Sequence, residues 1–159
     1  MRDFYIFLGW SAGFFGLLIL LAVVGPYPLN NWEAHKVGAW LTTVELPEKS
    51  ELLERETSVA NFAGTGNACF FAAGEIRSTS LSKKELLAFY AQRVRESSDL
   101  RVTRTFEIFF PDDEDTYQYL DGTFTDLIQK YARASSTGTL YLALAVDGPH
   151  EPGLDFRCH

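Results

Sequence analysis

The sequence predicts an α+β protein: one apolar N-terminal helix of membrane-spanning length, then a single folded domain of strands and amphipathic helices. Three observations carry this. Phe4 to Val24 is a run of 21 residues without a charge, which as a helix is about 31 Å long, the thickness of a bilayer's hydrocarbon core. Beyond it, apolar residues alternate over several short runs, the period of half-buried strands. Between those runs, two segments carry helix-start signals and one apolar face each.

The first stretch reads as a retained signal anchor. A core helix of a soluble domain would be amphipathic, whereas this one is apolar on every side. A cleaved signal peptide needs a basic start, a shorter apolar run and a small-residue cleavage site. Here Arg2 stands beside Asp3, and Leu21 to Pro26 is a poor site. Pro26 and Pro28 are expected to end the helix, because proline lacks the N–H and disfavours helix in the residue before it. Tyr27 and Trp32 suit the aromatic belt at the headgroups. Gly9 and Gly13 form a G-x-x-x-G, and Ala12 to Gly16 repeats the spacing, so Gly9, Gly13 and Gly16 are candidates for transmembrane packing against another helix. A homo-oligomer is one such arrangement, although glycine is common in membrane helices in any case. Arg2 before the span and Lys36 after it balance in the positive-inside count, and the α-amino group tips the N-terminus toward the cytoplasm. The organisation expected is a tail at 1–3, a transmembrane helix at 4–25, a connector at 26–39 and a soluble domain at 40–159.

Residues 26–159 hold 13 of the 14 basic and 20 of the 21 acidic side chains, so the net charge of −7 falls on the soluble part. That argues against nucleic acid, where phosphates must be neutralised, and against a domain lying flat on anionic lipid. Cys69 and Cys158 are the two cysteines. An even count favours a disulfide and an extracytoplasmic domain, be it periplasmic, extracellular or lumenal. Such a bond would lay the tail along the sheet and shelter Leu154 and Phe156.

In chain order, Trp40 to Leu46 alternates like a strand, and Pro47 to Ser50 is a turn. Leu52 to Val59 is read as a second strand, with a short helix through Leu52–Arg55 as the alternative. Asn61 to Asn67 is a glycine-containing loop without the G-K-[ST] of a phosphate loop. Cys69 to Thr79 is a central strand covered on both faces, in which Gly74 marks a bulge or the close approach of a helix. Ser82 and Glu85 form a capping box with Leu81 and Leu86 as a staple, so a helix runs from Lys83 to about Glu96. Ser97 to Asp99 turns into a strand from about Arg101 to Phe110, and Asp112 to Asp121 is an acidic loop. Thr123 with Asp126 resembles a second capping box. Thr139 to Val146 is the last strand, Asp147 to Pro149 a turn, and His150 to His159 a tail. The order β-β-β-α-β-α-β places both helices on one side of a mixed or antiparallel sheet, a two-layer domain.

Sites with chemical potential are few. Asp113 to Phe124 fails as an EF-hand loop: Gln118 stands where glycine is needed and Phe124 where a bidentate Glu is needed. The tail gathers His150, Asp155 and His159, potential metal ligands, but in no recognised zinc spacing. No nucleophile–base pair and no G-x-S-x-G elbow is present, so no catalytic residue and no cofactor is assigned. The expected function is a membrane-anchored binding or accessory domain, with lipid and a protein partner contacting the helix. The alternative is a membrane-anchored enzyme or metal-binding protein using the tail.

Overall fold

The computed structural model describes residues 13–21, 24–61, 68–96, 104–133, 138–150 and 155–158. Gly9, most of the Asn61–Asn67 loop, the Ser97–Asp99 turn, Arg101 to Thr103, Leu154 and His159 lie outside the described residues.

Residues 13–21 are helical (α1), and α2 spans Pro26–Leu41. Together they belong to a helical run, Gly13–Leu41, long and apolar enough by length and composition to cross a membrane. The connector of the sequence reading is therefore helix, and the expected first strand, Trp40 to Leu46, is the end of that helix followed by a turn and irregular chain. Pro26 does not stop the chain, because it opens α2, where the N–H groups have no intrahelical acceptor in any case. Gly25 keeps right-handed helical angles (φ −57°, ψ −38°) and donates to the Leu21 carbonyl at 2.9 Å, carrying the backbone across the join. Trp40 and Leu41 close α2 instead of opening a strand. Ala34, Val37, Gly38 and Leu41 share one buried helical face, and that periodicity overrides four alternating residues.

Four strands follow: β1 (Ser50–Ala60), β2 (Cys69–Thr79), β3 (Arg104–Phe109) and β4 (Thr139–His150). They form one antiparallel sheet in the order β1-β2-β4-β3. β2 and β3 thus run parallel to each other with β4 between them, and α3 (Lys83–Glu96) is the crossover. The segment before the last strand holds a short α4 (Thr116–Tyr119) and α5 (Gly122–Ala132). β4 continues through the expected Asp147–Pro149 turn, with a register shift opposite Cys69 and Phe71. Gly148 makes the irregularity possible: at φ +150° a side chain there would be strained and would meet the Phe70 ring.

The helices cover both faces, so the domain has three layers instead of two. On one face α2 packs Ala34, Val37 and Leu41 on Val59, Phe71, Ala73 and Ala145. On the same face α3 packs Leu86 and Tyr90 on Tyr141 and Ala143. On the other, α5 packs Phe124, Leu127 and Ile128 on Ala72, Ile76, Leu142 and Leu144. The expected capping box of α3 is present: Ser82 N–H donates to Glu85 Oε2 at 2.8 Å and Glu85 N–H to Ser82 Oγ at 3.4 Å. In α5 the cap is Asp121, which accepts from Phe124 N–H at 2.9 Å, so the Thr123–Asp126 assignment is corrected.

Gly74 is the close approach. A Cβ there would lie 2.7 Å from the Phe124 ring and 3.0 Å from Leu142. Gly74→Ala is therefore expected to cost about 1–3 kcal/mol by overpacking, seen as a lower urea midpoint at unchanged m-value.

Candidate functional site

The first turns of α2 meet the 3₁₀ turn Phe156–Cys158, and the contact is built from side chains brought from opposite ends of the chain. Cys69, which opens β2, and Cys158 are both fully buried and joined in a disulfide with Cα atoms 4.8 Å apart. Asp155, also fully buried, has both carboxylate oxygens occupied. Oδ2 accepts from Asn30 Nδ2 at 2.8 Å and from Arg157 Nη2 at 2.6 Å. Oδ1 accepts from the Arg157 backbone N–H at 3.1 Å and from its Nε at 2.9 Å. Arg157 also donates from Nη1 to Asn31 Oδ1 at 2.7 Å and lies 4.7 Å from the Tyr27 ring centre. Asn30, Asn31 and Tyr27 thus hold the turn against α2, and the disulfide holds the turn to the sheet.

The Arg157 hydrogen bonds, helped by Asn30, outweigh burial and bring the Asp155 carboxyl down to about 2 from an ordinary 3.8. A depressed carboxylate pKa stabilises the fold above the unfolded value and loses that contribution as pH falls through the folded one. The clamp is expected to contribute about 2 kcal/mol at neutral pH, fading between about pH 4 and about pH 2. Thermal melts across that range check it: Asp155→Asn should be less stable at neutral pH and should lose the part of the acid slope that this carboxyl supplies between about pH 4 and about pH 2.

The expected sheltering of Phe156 is corrected here. Its side chain is 64% exposed, because the turn directs Asp155 and Cys158 inward. The tail metal candidates do not converge among the described residues. His150 Nε2 lies 3.0 Å from Asp147 Oδ1, and its ring stacks on Phe71 with centroids 4.8 Å apart. Asp155 is saturated as above. Cys69, Cys158 and Asp155 do place potential ligand atoms within 4.8 Å of one another. The two sulfurs are consumed by the disulfide, however, and the carboxylate by Arg157 and Asn30. Gly13 and Gly16 have open space around them.

No protein-family model matches this chain, and no curated protein or solved structure is significantly similar to it.

Sequence reasoning missed a second polar cluster. Glu75 and Arg77 lie two residues apart on β2, on the face shared by α2 and α3, and both are buried. Arg77 Nε donates to Glu75 Oε2 at 2.7 Å, its Nη2 pairs with the same oxygen, and Arg55 Nε donates to Oε1 at 2.6 Å. Arg77 Nη1 donates to the Tyr90 hydroxyl at 2.8 Å, which lies 3.2 Å from the Tyr141 hydroxyl. Burial and the bond with Tyr141 push the Tyr90 hydroxyl above its ordinary value, so it stays neutral. Burial opposes the Arg77 charge, but Tyr90 and Glu75 more than offset it and raise its pKa. The signal was available: a carboxylate and a guanidinium two apart in a strand covered on both faces must find partners.

The acidic loop is largely occupied with structure. Lys83 Nζ binds Asp113 Oδ1 at 2.5 Å, Asp115 accepts from Gln118, and Asp121 caps α5 while bonding Ser58.

Proposed function

We propose that this chain is a single-pass membrane protein whose folded domain stands outside the cytoplasm and acts as a binding or accessory module in a membrane complex. The observation that carries this reading is the joint between α2 and the Phe156–Cys158 turn. A tether alone would be served by a flexible linker. Here a buried disulfide and a saturated buried carboxylate bind the sheet to a helix that continues from the apolar segment. Such a joint holds the domain at a set height and orientation to the helix axis, as a subunit docking on a membrane-embedded neighbour requires. The disulfide favours an oxidising compartment. Phe14, Phe15, Leu17, Ile19 and Leu21 of α1 are exposed and supply the surface toward lipid or a neighbouring helix.

Protease added to intact cells or spheroplasts is expected to digest the domain and leave a short N-terminal fragment. Full protection until lysis would reverse the orientation. Purification in mild detergent followed by mass spectrometry is expected to recover a stoichiometric membrane partner or a homo-oligomer. Recovery as a monomer alone would overturn the accessory reading.

A further inference from the structure

We propose that the Phe156–Cys158 turn is a second membrane contact, with Phe156 entering the headgroup region of a zwitterionic bilayer beside α2. This rests on the membrane-anchored reading above. Val24 ends the apolar run, and at 1.5 Å per residue Tyr27 stands about 4 Å beyond it, Leu29 about 8 Å and Trp32 about 12 Å. Each headgroup layer is about 5–8 Å deep, which brings the backbone of Tyr27 and Leu29 inside it and leaves that of Trp32 about 4 Å beyond its outer edge, a gap that the long indole side chain can span. No charged residue occurs from Phe4 to Trp32, and the first is Glu33.

The turn is fixed at that height. Its neighbours on either side of Phe156 bind α2: Asp155 through Asn30, and Arg157 through Asn31 and the Tyr27 ring. Phe156 is therefore held level with the first turns of α2 and is 64% exposed.

The rest of this level has matching chemistry. Leu29 and Trp32 are 64% and 59% exposed and lie off the face of α2 that packs on the sheet. Phe156 sits on the domain side of the helix, so apolar groups flank α2 on two sides. The cations here are already matched: Arg157 by Asp155, and Lys36 by Glu33 while standing over the Trp32 ring at 4.3 Å. A locally neutral, aromatic rim on an acidic domain fits the interface of neutral lipid, where aromatic side chains partition, and not an anionic surface.

The test uses the full chain in phosphatidylcholine vesicles with bromine placed either near the headgroup or deep in the acyl chains, which quenches nearby tryptophan. Trp10→Phe/Trp32→Phe leaves Trp40 as background. Adding Phe156→Trp to that pair reports the turn, while Trp32→Phe alone reports the helix through Trp10. The expected result is deep quenching of Trp10, together with blue-shifted emission at position 156 quenched by headgroup-level bromine and unchanged at high salt. Trp10 quenched with position 156 unquenched would overturn the second contact and leave the anchor standing. Neither quenched would overturn both, and quenching at 156 that vanishes with salt would replace the apolar contact by an electrostatic one. All the changed positions that the structure describes are exposed, and an unchanged melting temperature verifies the fold.

Discussion

Cys158→Ser is expected to lower the stability of the domain by about 3 kcal/mol, since bonds closing long loops typically contribute 2–5 kcal/mol. The loop here spans 89 positions. For a domain of this size the loss corresponds to about 10 °C in melting temperature. Two effects act together. The unfolded chain regains the freedom that the cross-link removes, and the Phe156–Cys158 turn loses its attachment to β2. Asp155 should then exchange its buried hydrogen bonds for water, so the variant should also lose the acid dependence of the clamp. Calorimetry of the detergent-solubilised protein would read the first effect, and carboxypeptidase release of the last residues the second. An unchanged melting temperature, or two free thiols in the unreduced wild-type protein, would remove the joint on which the membrane-surface reading stands.

Where local signals act alone, the sequence is legible. β2 runs from Cys69 to Thr79 as its dense apolar content implies, and α3 starts at Lys83 because Ser82 and Glu85 cap each other's backbone. The disulfide follows from counting cysteines. Misreadings arise where two periods compete or a distant partner decides. Trp40, Thr42, Val44 and Leu46 alternate, but Val37 and Leu41 find a sheet to pack on only as a helix. Pro26 looks like a terminator until the helix beyond it is seen to begin there. Asp121, not Thr123, caps α5 by accepting from Phe124 N–H three residues on, a local signal that the Thr123–Asp126 spacing masks, while its other oxygen meets Ser58 on β1, a contact 63 residues away that local pattern cannot supply. The same holds for the joint: Tyr27, Asn30 and Asn31 look like linker residues, and their role appears only when Asp155 and Arg157 arrive beside them.

Glu75→Ala is expected to have the largest effect of any single polar substitution considered, about 3–5 kcal/mol, because it strands buried positive charge. Glu75 is the one carboxylate that Arg55 and Arg77 share, and among the described residues the remaining bond of Arg77 is to the neutral Tyr90 hydroxyl. Arg55, about one-third exposed, can turn to water when its partner is lost. Arg77, at 1% exposure, cannot. Arg55→Ala should accordingly cost much less, about 1 kcal/mol. The pair itself need not be a net source of stability, since desolvating both charges offsets much of their attraction. Glu75→Leu combined with Arg77→Met should therefore recover most of the loss seen in Glu75→Ala. A double-mutant cycle in urea, with Glu75→Ala, Arg77→Met and the pair, measures the coupling directly. Additive losses would mean that the two side chains reach water separately, and would dissolve the buried network between α2 and α3.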